Sequence, residues 1–156
     1  MRKSELVLFR MSWVWAAIGL ASGLGYRELT RAHEFSGFTQ LAVVHTHTLV
    51  LGTVVGLGLL ALQRLYRLGD DRGFAWFVWI WNVGLAVTAA GLAVKGTLQV
   101  LDSAAADSKA LAGISGTGHI LLTVGFVLLF LVLGRQIRRT QPGEEPDAVT
   151  AGALLG

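Results

Sequence analysis

The chain has 156 residues, 53% of them hydrophobic and 15% charged, with 20 glycines and a mean hydropathy of +0.59. Such a composition describes apolar segments joined by short polar ones and excludes an ordinary soluble domain. No cysteine is present, which excludes disulfides, thiolate metal sites and cysteine nucleophiles and leaves histidine, methionine or oxygen to hold any metal. The formal charge of +3 does not point to nucleic acid, because the basic residues lie mostly at the ends of apolar runs, where they act as topology signals.

Taken in chain order, four segments approach or exceed the ~20 residues that span a hydrocarbon core: 6–26, 39–62, 74–97 and 112–133. Arg2, Lys3 and Arg10 precede or enter the first, whose apolar run is long and lacks a small-residue cleavage site, so it reads as a retained anchor and first helix. The second carries AVVHTHTLVLG, with His45 and His47 inside an otherwise apolar run. The third presents Gly84, Thr88, Gly91 and Lys95 at helical spacing, and the fourth stacks Ser115, His119 and Thr123 beside Gly116 and Gly118. The tail after Arg139 holds two prolines and no strong apolar period, and reads as disordered. Trp13, Trp15, Trp76, Trp79 and Trp81 fall near the same ends of spans one and three, as an interfacial belt would.

Lysine and arginine assign the sides. Arg2, Lys3, Arg10, Arg64, Arg67, Arg72, Arg135, Arg138 and Arg139 mark the N-terminus, second loop and C-terminus, against Arg27, Arg31, Lys95 and Lys109 at the first and third loops. The positive-inside rule then predicts an all-α membrane protein, an up-down-up-down bundle over residues 1–139, with both termini and a disordered 140–156 tail in the cytoplasm.

On this topology spans two and four run in the same direction. A rise of about 1.5 Å per residue puts His45 about 9 Å, and His119 about 10 Å, below the starts of their helices. Diagonal helices in such a bundle lie about 11 to 14 Å apart, a gap two imidazoles can bridge by approaching a flat cofactor from opposite faces. His45, Thr48, Gly52 and Gly56 form a stripe of mostly small residues, so the expected ligand pair is His45 with His119. Arg27 and Lys95 are placed to meet haem propionates at the outer end. His47 is rotated by about 200° from His45 and is expected at a contact between protomers, or as a ligand in its own right.

Several stretches carry a family resemblance: YRELT (Tyr26–Thr30), GFTQLAVVHTHTLVLG (Gly37–Gly52), KGTLQVLD (Lys95–Asp102) and ISGTGHILLTVG (Ile114–Gly125). Together they resemble a family of four-span bacterial membrane proteins classed as a domain of unknown function, which implies the bacterial inner membrane. His45-Thr46-His47 is also similar to the H-x-H of haem-copper oxidases and nitric oxide reductases, where one helix ligates two haems from opposite faces. Those enzymes hold twelve helices in three arcs of four, so the likeness implies a homotrimer; their copper-ligand motif has no counterpart here.

Three functions stay open. The first is a b-type haem protein with bis-histidine ligation by His45, His119 or His47, serving electron transfer with a redox partner, redox sensing or gas handling. The second is a copper or zinc protein using His33, His45, His47 or His119. The third is a non-catalytic assembly subunit with structural histidines. No carboxylate pair or nucleophile-and-base arrangement argues for catalysis.

Overall fold

The computed structural model describes residues 3–140. They form four long helices, α1 (Lys3–Ala32), α2 (Leu41–Tyr66), α3 (Arg72–Val100) and α4 (Lys109–Thr140), each long and apolar enough to cross a membrane. Among the described residues there is no strand, and the architecture is the expected all-α, four-span bundle. Each helix runs past its apolar stretch at one end or both, because a helix continues into headgroups and water while apolarity marks only the hydrocarbon layer. Of the expected disordered tail, Thr140 closes α4 and 141–156 lie outside the described residues.

Consecutive helices are antiparallel and meet through small residues. Along α1 and α2, Gly23 faces His45, Gly19 faces Thr48 and Leu49, and Trp15 and Ser12 press on Gly52 and Gly56. Along α3 and α4, Gly91 meets Ser115, Thr88 meets Gly118, and Trp81 meets Gly125. Gly96 of α3 brings its backbone against the backbone of Leu41. Lipid tails are as apolar as leucine, so helices associate here by close van der Waals approach, which glycine alone allows at these points.

Two of the five tryptophans correct the expected interfacial belt. Trp13, Trp76 and Trp79 are exposed, as a belt requires, but Trp15 and Trp81 are buried. Each buried indole has a partner for its N–H: Trp15 donates to Asn82 Oδ1 (2.8 Å), and Trp81 donates to the backbone oxygen of Leu51 (3.1 Å). Leu51 lies in a π-helical segment of α2, Thr48–Val54, whose wider turns misalign carbonyls from the usual ladder. Phe77 and Phe126 stack around Trp81, with ring centroids 5.8 and 4.7 Å away.

The first and third loops share one end of the bundle, called here the odd-loop end; the second loop and both chain ends share the other, the terminal end. At the terminal end Asp71 caps α3 by accepting from the Gly73 amide (2.8 Å) and receives Arg135 of α4 in a two-pronged ion pair (2.7 and 2.8 Å). The Arg135 hydrogen bonds, helped by the Gly73 amide and opposed by burial, hold the Asp71 carboxyl well below its ordinary 3.8, at about 2.

These contacts give two expected outcomes in thermal unfolding of detergent-purified protein. Gly96→Ala should lower the melting temperature clearly, since backbone rather than a flexible side chain opposes the new methyl, whereas Gly58→Ala, facing open space, should leave it unchanged or higher. Asp71→Ala removes cap and ion pair together and should cost about 1–2 kcal/mol at neutral pH. A depressed carboxyl lends stability above its unfolded value that is lost as pH falls through its folded one, so the difference from wild type should shrink between pH 3.8 and about 2.

Candidate functional site

The odd-loop end of α2 is fixed to α3 before any histidine is placed. Thr39 Oγ1 donates to the Gly96 carbonyl (2.7 Å), and Gln99 Oε1 accepts from the Gln40 amide (2.8 Å), satisfying a donor at the start of the helix. With Leu41 seated on Gly96, the rotation of α2 about its axis is set.

That rotation corrects the expected pairing. The stripe His45, Thr48, Gly52, Gly56 is indeed a packed face, but it packs on α1, where Gly19 and Gly23 present the complementary small residues. A methyl on Gly23 would meet His45 Cβ at 3.7 Å, so no room for a flat cofactor remains along this seam. His45 is half-buried, and its Nδ1 is buried without a hydrogen-bond partner among the described residues. His47, on the other face, is the one that meets His119: the ring centroids lie 6.2 Å apart with the planes at 79°. The expectation that His45 joins His119 therefore gives way, by half a turn of α2, to His47 beside His119 and His45 against α1.

On α4, Ser115, Gly118, Leu121, Leu122 and Gly125 are among the residues that touch α3. His119 follows Gly118 at the edge of that contact, which turns it toward α2 and leaves it exposed on its outer side. Gly113 and Gly116, preceding it on α4, face open space.

Both paired histidines are oriented in the same way. His47 Nδ1 lies 3.0 Å from the Val43 carbonyl and His119 Nδ1 lies 2.8 Å from the Ser115 carbonyl, each one turn back along its own helix. A carbonyl can only accept, so each Nδ1 carries the hydrogen and each Nε2 keeps its lone pair for another partner. Ligating histidines are held in this way, with the non-ligating nitrogen tied to a backbone oxygen. Thr123 Oγ1 donates to the His119 carbonyl (2.9 Å) and braces the next turn. Among the described residues no three His, Cys, Asp or Glu side chains converge, so within one protomer a metal would find two protein donors here.

The remaining sequence candidates scatter. Lys95 is half-buried on the α3 stripe that includes Thr88 and Gly91, one turn nearer the odd-loop end than Gly91 and its contact with Ser115. Arg27 is exposed on α1, on the His45 side of α2, and pairs with its neighbour Glu28 (3.2 Å). His33 is exposed in the first loop. Sequence reasoning missed Asn82, which accepts from Trp15 and donates to the Val78 carbonyl (2.7 Å) and Met11 Sδ (2.9 Å), tying α1 to α3. The available signal was an uncharged amide in the middle of an apolar span, which lipid does not tolerate without partners.

No curated protein and no solved structure matches the chain. A family model does, over residues 3–136, which take in the first three helices, α4 as far as Gln136, and both paired histidines. The chain therefore belongs to the family described as Protein of unknown function (DUF2871).

Proposed function

We propose that this chain is a membrane-embedded b-type haem protein whose axial ligands are His47 and His119. One observation carries the reading: two histidines of different helices lie 6.2 Å apart by ring centroid, each with Nδ1 bonded to a backbone carbonyl and Nε2 free. Two imidazoles on opposite sides of one metal, with about 2.0 Å from metal to nitrogen, have centroids roughly 6 Å apart. Haem supplies four equatorial nitrogens and needs only two ligands from protein, which is the number at hand, whereas zinc ordinarily takes three or four. Gly113 and Gly116, about two turns and one turn before His119, leave the surface of α4 open beside the pair, where the edge of a flat group held between the two rings would emerge.

With both axial positions filled by protein, the haem would serve electron transfer or redox sensing, and handling a gas would require one histidine to leave. Topology and assembly complete the proposal. The excess of lysine and arginine at the terminal end supports a cytoplasmic location for that end in a bacterial inner membrane, with the histidine pair in the outer half. His119, exposed beside Thr117 and Thr123, favours a homo-oligomer that shields these polar groups from lipid, with a trimer matching the twelve-helix arrangement of haem-copper oxidases.

Absorption spectra of the purified, haem-replete protein test this. Wild type should show the sharp reduced bands of a low-spin, six-coordinate haem; His47→Ala and His119→Ala should each give a five-coordinate or haem-free protein, and His45→Ala should keep the low-spin signal. A folded, colourless, iron-free protein overturns the reading, and copper found at one ion per protomer would replace it with a two-coordinate cuprous site. Loss of the signal in His45→Ala alone would return ligation to the α1 face. Lys95→Met should lower the midpoint potential, because a cation near the iron favours the reduced, less positive state. An unchanged potential with haem retained would assign Lys95 to the headgroups.

A further inference from the structure

In the terminal-end half of the bundle, α1 and α3 leave a groove open to the lipid. Its wider part, about 440 Å³, runs from Lys3 to Asn82 between Val7, Phe74 and Val78. A narrower part of about 270 Å³ shares Val7, Val78 and Asn82 and continues past Arg10 to Trp15. The walls are almost wholly apolar, and Asn82, the polar residue at the deep end, is fully engaged. Its oxygen accepts from Trp15, and its two amide hydrogens go to the Val78 carbonyl and Met11 Sδ. Asn82 therefore has no hydrogen left to offer an uncharged polar ring such as a quinone's.

The charge lies along the rim. Lys3 and Arg10 are seven residues apart on α1, so they share a face with about 10 Å between them along the axis. Both are exposed, and no ion pair among the described residues engages either. Exposed Trp76, two residues past Phe74 at the mouth of the groove, marks the level of the membrane boundary. Lys3 stands at the mouth of the slot and Arg10 beside its inner part, where a helical side chain leans toward the helix N-terminus and hence back toward the mouth. An apolar slot with two such cations along its rim is complementary to one kind of molecule.

We propose that this groove holds an anionic phospholipid of the terminal-end leaflet, with its phosphate at the mouth within reach of Lys3 and Arg10 and an acyl chain running inward along Val7, Val78 and Val14. The groove lies at the opposite end of the bundle from the histidine pair, so lipid occupancy and haem content can be read separately. The test uses the full chain in a mild uncharged detergent, titrated with phosphatidylglycerol or phosphatidylcholine of identical acyl chains. Bound lipid is counted by native mass spectrometry, and melting temperature is followed in parallel. One phosphatidylglycerol should be retained per protomer and raise the melting temperature, with phosphatidylcholine bound more weakly. The Lys3→Gln/Arg10→Gln double variant should lose about thirtyfold in phosphatidylglycerol affinity, about fivefold per cation, and bind phosphatidylcholine as before. Ala75→Trp, which fills the groove from an exposed position on α3, should remove the adduct while leaving the lipid-free melting temperature in place. Equal affinity for the two lipids, undiminished affinity in the double variant, or an adduct retained in Ala75→Trp would each overturn the proposal.

Discussion

Close approach of helix backbones at glycine is the constraint on which the rest of this structure depends. In water a helix is oriented by hiding its apolar side, but α1 to α4 are apolar nearly all round and the surrounding lipid offers no such bias. Rotation is decided where a missing side chain lets a neighbour come near: Gly52 and Gly56 against Trp15 and Ser12, Gly96 against Leu41, Gly118 against Thr88. Once these contacts are made, neither histidine of α2 is free to choose its surroundings. The identity of the facing pair, His47 and His119, follows from glycines up to three turns away.

Polar groups inside the bundle reinforce the same arrangement. An indole, amide or hydroxyl in hydrocarbon is costly unless bonded, so each that finds a partner on another helix pins two helices together. Trp15, Asn82 and Met11 do this for α1 and α3, Trp81 and the Leu51 carbonyl for α3 and α2, and Thr39 and Gln99 at the odd-loop end. The His47 and His119 rings are different: each bonds only within its own helix and points an unused nitrogen elsewhere. In a chain that otherwise pairs most of its intramembrane polar atoms, that unused capacity is what draws attention to these two side chains.

The number and order of the spans were legible from sequence, because length and apolarity alone decide whether a helix can cross a bilayer. The azimuth of each helix was not. Periodicity says that His45 and His47 face nearly opposite ways, yet it does not say which neighbour lies on which side, and the stripe from His45 to Gly56 fits α1 as readily as a cofactor. The matching glycines of α1, Gly19 and Gly23, stand four residues apart in GLASGLG, but nothing in a single span says which stripe of which neighbour they receive. The same gap explains the tryptophans: position along a helix predicted a belt, whereas rotation put Trp15 and Trp81 inside. Asn82 was hidden for a simpler reason, since one amide scarcely alters the apolarity by which a span is recognised.

The π-helical segment of α2 has a consequence for how this chain tolerates changes in length. A stretch wound with five-residue rather than four-residue hydrogen bonding holds surplus chain that an α-helix of the same rise would not need, and here it lies directly after the two histidines, over Thr48–Val54. Shortening it by one residue would return the segment to ordinary α-helix with the inner part of α2 still keyed to α1. Because the wider turns had absorbed that residue, the outer part, carrying His45 and His47, would keep nearly its angle and depth, whereas the same deletion in an ordinary α-helix turns everything beyond it by about 100°. The segment thus buffers the facing of His47 and His119 against the loss of a single residue in α2.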